Sequence, residues 1–226
     1  PSLQKVHIWM PNLFGFKGGI QVYSAYLLQA LQRLLPQAHL HVFLLHDQPS
    51  MQPDALYSNV HFHFAGSFPQ QTRNLVYATQ VTTSAILQQP QLIISTHLNF
   101  TPVARAIKQL VHIPYWTVAH GVEAWNIKRA NIQRGLQTAD CILPVSDYTQ
   151  KRLLHEQSLQ PERLHTLPNT VDTQRFQIRA KPKRLLVKYG LSEDQPVILT
   201  VNRLCSTESF KSYDQIITAL PGIQNK

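Results

Sequence analysis

Four stretches of this 226-residue chain place ligand-binding or proton-carrying groups directly after a short apolar run. They are Gly18-Gly19, His97, His120-Gly121 and the loop that carries Arg203 and Lys211. A glycine pair lets backbone approach a ligand closely, and a helix starting just after it offers unpaired N–H groups to an anion. The same pair also serves an ordinary tight turn. Histidine at a strand's end can hydrogen-bond a substrate hydroxyl or move a proton near neutral pH. It can equally be a structural loop residue in a chain with 11 histidines. Arg203 supplies a bidentate fork and Lys211 a point charge, a combination that suits a diphosphate. A solvated basic loop has the same composition.

Other chemistries lack their signatures. There is no G-x-G-x-x-G and no G-x-x-x-x-G-K-[ST], so neither a dinucleotide fingerprint nor a P-loop is supported. No G-x-S-x-G elbow and no spaced carboxylate pair marks a hydrolase. His97, His112 and His120 come from separate segments without H-E-x-x-H spacing, so no metal site is expected. Cys141 and Cys205 are the only cysteines and read as small buried hydrophobes.

Lysine and arginine number 21 against 12 acids, a formal charge of +9. Nucleic acid, an anionic membrane face and phosphorylated small molecules would each fit such an excess. Basic residues gather only around Arg179, Lys181, Lys183, Arg184 and Lys188. Tyr115, Trp116 and Trp125 are not interleaved with them, so nucleic acid is not the expected partner. With 43% hydrophobic and 15% charged residues the chain suits a packed globular protein. It contains neither a bilayer-length apolar run nor the apolar core of a signal peptide, and the expected location is cytoplasmic.

The elements that must position these residues alternate. Strands are predicted at Lys5–Met10, 39–45, Val60–Phe64, Leu92–Ser95, Tyr115–Ala119 and 141–145, with helices at 20–34, 71–87, 102–110, 124–139 and 148–157. Ser146 is the expected N-cap of the last helix. Strands separated by helices mean βαβ units, hence an α/β domain with a doubly wound, Rossmann-like parallel sheet over 1–178. Residues 167–183 break the pattern as a junction. Beyond it a helix at 183–189 closes on Gly190, a strand follows at 196–201, and a helical stripe runs through Tyr213, Ile216, Ile217 and Leu220. Residues 179–226 are thus read as the start of a second, incomplete Rossmann-like domain.

Several segments together resemble one family. VILTVNRLCSTESFKSYDQIITALP at 197–221 resembles the start of the donor domain of family-4 glycosyltransferases, where a strand leads into Gly-Arg-Leu, a Lys-Gly loop and a helix. LPNTVDTQRF at 167–176 resembles that family's Pro-Asn-Gly-Val-Asp…Phe junction, and VSDYTQKRL at 145–153 the stretch before it. GGIQVYSAYLLQAL at 18–31 resembles its Gly-Gly loop and first helix, and HGVEAW at 120–125 begins with its active-site His-Gly pair.

The resemblance implies a GT-B fold, with the acceptor bound mainly by the first domain and a nucleotide sugar by the second. It implies that Arg203 and Lys211 clasp the donor diphosphate, and that Gly18 and Gly19 bring N–H groups to those phosphates or to the acceptor. It further implies that His120 contacts the donor sugar near the reacting carbon and that His97 helps bind the acceptor. Relatives usually retain anomeric configuration, use no nicotinamide or flavin, and often need no metal. Many act on sugar, lipid-linked or small-molecule acceptors, some at a membrane surface, so peripheral association with the inner membrane face is a further expectation. Asn202 and Ser212 stand where the family usually has glycine beside the Arg and Lys, and Asn169-Thr170 where Asn-Gly is common. The family's paired-glutamate signature would lie beyond Lys226, so the chain alone is expected to be inactive. The alternatives are a non-catalytic glycan- or partner-binding module of the same fold and, more remotely, a basic nucleic-acid-binding protein.

Overall fold

The computed structural model describes residues 3–15, 18–51, 59–201 and 213–224. Six strands form one wholly parallel sheet: β1 (Lys5–Met10), β2 (His39–Leu44), β3 (Val60–Phe64), β4 (Leu92–Ser95), β5 (Tyr115–Ala119) and β6 (Cys141–Pro144). Their spatial order is β3-β2-β1-β4-β5-β6. The strands beneath the helices read as nearly unbroken apolar runs: KVHIWM in β1 and LIIS in β4 at the centre, and CILP in the buried edge strand β6. Edge strand β3 is only partly covered.

Side chains alternate across the sheet. Val6, Ile8 and Met10 join Leu40, Val42 and Ile94 in one core beneath α1 (Gly19–Leu34), which contributes Leu28. Trp9, Phe43, Ile93 and Tyr115 point the other way, into a core closed by three further helices. These are α2 (Gln70–Gln88), through Tyr77, Val81 and Ala85; α3 (Thr101–Val111), through Ala104 and Ile107; and α4 (Ala130–Thr138), through Ile132 and Leu136. The spacing i, i+4, i+8 on α2 is the stripe that a helix needs to cover a sheet. A Cβ on Gly135 would fall 2.4 Å from Thr101 Oγ1, so glycine is what lets α4 lie against α3. Helix α5 (Asp147–Glu156) is capped as predicted, with Ser146 Oγ accepting from the Thr149 N–H at 3.2 Å.

Two expectations are corrected. The helix predicted over 124–139 begins only at Ala130. Residues Val122–Ala124 form a 3₁₀ turn, and Asn126 then turns left-handed at φ 55°. Its N–H donates to Glu156 Oε2 at 2.7 Å, and the neighbouring Trp125 ring packs edge-on against Tyr148, 5.3 Å between centroids. Contacts with α5 therefore override a locally helical sequence. The strand predicted at 196–201 is not formed, and Leu199 and Val201 are 81% and 85% exposed. Apolar, β-branched composition makes a strand only where a neighbour completes the backbone ladder, and none pairs with it among the described residues.

The chain divides into two compact units, residues 1–171 and 172–226. The division falls inside the predicted junction and earlier than the 178/179 boundary. The second unit holds α6 (Lys183–Tyr189), ended by Gly190 at φ 62°, and α7 (Tyr213–Gln224).

Candidate active site

The strand order reverses between β1 and β4, and a parallel sheet opens a crevice at the carboxyl ends of strands at such a point. The loops after β1, β4 and β5 carry Gly18-Gly19, His97 and His120.

The loop after β1 is tied down from a neighbouring strand. Asp47, buried just past β2, accepts from the N–H groups of Leu13, Phe14 and Gly15 at 2.5, 2.9 and 2.9 Å. Close approach of residues 46 and 47 to Gly66 fixes Asp47 in turn, since a Cβ there would meet both carbonyl oxygens at 2.2–2.3 Å. Gly18 is extended and caps α1 without any side-chain bond, and no acid occupies the first turn. A Cβ on Gly19 would meet nothing within 4 Å. Gly19 therefore answers no packing demand from the described residues, and it sits at a helix start that favours anions.

After β4, the turn at Thr96 and His97 is held by Ser95, whose Oγ donates to the His97 carbonyl at 2.7 Å. His97 Nδ1 accepts from the Asn99 N–H at 3.1 Å and caps the 3₁₀ turn Leu98–Phe100. With Nδ1 accepting, the proton of the neutral ring sits on Nε2, so His97 offers an N–H donor. Burial holds its pKa below the usual histidine range, with His120 and Arg129 adding to the effect and Glu123 opposing it.

After β5, the His120 and Gly121 N–H groups both donate to Glu123 Oε1, at 2.7 and 3.2 Å. The ring reaches across to the next loop, with Nε2 2.9 Å from the Thr96 carbonyl oxygen. A carbonyl only accepts, so Nε2 carries the proton and Nδ1 is left with a lone pair. Tyr23 of α1 packs edge-on against the ring, 5.1 Å between centroids, and its hydroxyl is pushed up to about 12 by burial. Burial also lowers the His120 pKa, against the Thr96 carbonyl and Glu123. Near pH 7 two neutral imidazoles thus sit on adjacent loops, one offering a donor and the other an acceptor. Such a pair can bind and orient hydroxyl groups.

The structure brings Gly18-Gly19, His97 and His120 to the carboxyl edge of one sheet. Arg203 and Lys211, the predicted diphosphate clasp, lie outside the described residues, as does Cys205. His112 sits elsewhere, as the left-handed C-cap of α3. Among the described residues no group of three or more His, Cys, Asp or Glu is placed to hold a metal ion, and no helix is long and apolar enough to cross a membrane. Sequence reasoning missed Asp47, Thr96 and Glu123, which hold the site together. Only Glu123 left a signal, an acid three residues after a histidine at a turn.

A sequence profile of Glycosyltransferase Family 4 matches residues 17–175. A search of curated proteins returns no match. Among solved structures, sucrose-phosphate synthase from Thermosynechococcus elongatus is similar at a TM-score of 0.70 and 15% identity, over 97% of this chain and 60% of that one. Anabaena HepE, in complex with UDP and glucose, is similar at 0.58 and 13%, over 83% and 50%. The lipopolysaccharide outer core galactosyltransferase WaaB, in its apo form, is similar at 0.53 and 12%, over 74% and 46%. The likeness to these proteins is one of fold, the GT-B fold, and the chain spans about half their length. The profile covers most of the chain, which belongs to glycosyltransferase family 4.

Proposed function

We propose that this chain supplies the acceptor side of a retaining transferase that moves a sugar from a nucleotide-sugar donor to an acceptor hydroxyl. The sugar–phosphate bond breaks, the acceptor oxygen takes its place on the same carbon, and the nucleoside diphosphate leaves with the proton that the acceptor hydroxyl gives up. The observation that carries this reading is the His97/His120 pair at the β1/β4 switch point, an N–H donor beside a lone-pair acceptor. His120 Nδ1 accepts from a donor-sugar hydroxyl near the reacting carbon, while His97 Nε2–H donates to the acceptor. Gly18 and Gly19 bring the start of α1 to the phosphates or the acceptor, and Arg203 and Lys211 offset the charge growing on the departing diphosphate. HepE, a protein of like fold, has been solved with UDP and glucose and with UDP-glucose, which supports a nucleotide-sugar donor here.

In this reading the protein needs no nicotinamide, flavin or metal and works in the cytoplasm. The excess of 21 basic over 12 acidic residues serves phosphorylated substrates and contact with an anionic membrane face. Calorimetric titration of the full-length protein with UDP-, GDP- and ADP-sugars tests the proposal, with Lys211→Ala alongside. One donor should bind, and the variant should weaken it at least tenfold, about 1.4 kcal/mol. Folded protein that binds none of the three would instead be a non-catalytic glycan- or partner-binding module.

A further inference from the structure

The crevice at His97 continues into a longer groove. A cavity of about 270 Å³, lined by Gln21, His46, His97 and Asn99 among others, shares Leu45, His46, Asn99 and Phe100 with a neighbouring one of about 450 Å³. The second extends to Asn74, Tyr77 and Arg129. Tyr77 and Phe100, stacked at 5.1 Å and almost wholly buried, close its floor.

Among the described residues Arg129 is the only fully charged group that lines either cavity. Its guanidinium donates to Asn99 Oδ1, and among the described residues it makes no ion pair. The two carboxylates that act on the histidines of this groove are otherwise engaged, Asp47 by three backbone N–H groups and Glu123 by two. Arg129 is also the N-cap residue of α4, which has no acid in its first turn. A cation at the positive end of a helix opposes the helix dipole, so the position stabilises nothing by itself. An anion would relieve both charges at once. With the Asn74 and Asn99 amides and the His46 ring on the same walls, the groove presents more donors than the two oxygens of a carboxylate use.

We propose that this groove binds the acceptor, and that the acceptor carries a phosphate monoester seated on Arg129. Its sugar or polyol body lies along the groove between Arg129 and His97, and its reacting hydroxyl points to His97. The inference rests on the transferase reading and names the acceptor class for it.

The test is calorimetric titration of the full chain with glucose 6-phosphate, inorganic phosphate and glucose, in the wild type, Arg129→Gln and Arg134→Gln. Arg134 is exposed on the same helix and lines neither cavity. Glucose 6-phosphate should bind at least tenfold tighter than glucose, Arg129→Gln should erase that preference, and Arg134→Gln should leave it unchanged. A second arm uses phosphatidylcholine vesicles carrying phosphatidic acid. Vesicle binding that only Arg129→Gln abolishes, without tight binding of the free sugar phosphate, assigns the phosphate to a lipid-linked acceptor.

The proposal is overturned if the sugar phosphate and glucose bind alike and vesicle binding ignores Arg129. It is equally overturned if both substitutions weaken binding to the same extent, or if neither phosphate source binds. Donor titration keeps the two readings apart. A wild type that binds a nucleotide sugar but shows no phosphate preference loses only this inference, whereas one that binds no donor loses the transferase reading.

Discussion

The chain keeps two sets of histidines neutral by burial, and they differ in where on the sheet they sit. His7, His41 and His63 lie inside β1, β2 and β3. His7 Nε2 donates to Gln88 Oε1 at 2.8 Å, and its buried Nδ1 has no partner among the described residues. His41 and His63 bond each other at 3.2 Å, and the His63 ring stacks on Phe43 at 4.4 Å. His97 and His120 lie just past strand ends instead. Each commits one ring nitrogen to backbone and leaves the other without a partner among the described residues. Burial lowers the pKa of both sets, so a depressed pKa does not by itself mark a functional histidine. Placement at the carboxyl edge of the sheet, beside the switch point in strand order, does.

The largest effect that separates the sets is on catalysis. His120→Ala in the full-length protein should lower sugar transfer by about 10²–10³-fold, the usual cost of one preorganised polar group, with little change in melting temperature. His7→Ala should do the reverse, destabilising by roughly 2–3 kcal/mol while folded molecules keep their turnover. Parallel loss of activity and stability in both variants would dissolve the distinction.

A second test uses acid. The folded pKa of His7 is lowered to about 4 from 6.5, so the unfolded chain binds its proton first as pH falls. Stability that is complete above about pH 6.5 is therefore lost between there and about pH 4, on the order of 3 kcal/mol from His7. His41, also lowered to about 4 but less enclosed, adds a smaller share in the same direction. Urea unfolding across this range should show the loss, and His7→Leu should flatten the profile.

The smallest effect is at His97. His97→Ala removes the cap on the Asn99 N–H, costing about 1 kcal/mol, and raises KM for the acceptor while donor affinity holds. His97→Asn, which can still cap the turn, should recover the stability but not the KM.

Much of this was legible in the sequence, because strands buried on both faces and helices with one apolar stripe leave strong local patterns. The bounds of β1, β3, β4 and β5, the Ser146 cap and the Gly190 stop were all readable. What escaped was determined over long separations. Asp47 anchors a loop more than 30 residues before it, and Glu156 breaks the helical run at Asn126 from 30 residues after it. Arg129 gave no signal either, since its place beside Asn99 depends on α3 and α4 packing together through Gly135. Residues 196–201 show the opposite failure, a good strand composition that finds no partner strand among the described residues.

The most direct test of the division between the two sets is imidazole ¹H–¹⁵N NMR of the protein at neutral pH, recorded with and without a bound nucleotide sugar and acceptor. His97 and His120 should both be neutral with the proton on Nε2, and ligand should shift the His120 Nδ1 and His97 Nε2 resonances while those of His7 and His41 stay in place. Ligand shifts confined to the strand histidines, or His120 carrying its proton on Nδ1, would contradict the assignment of the site.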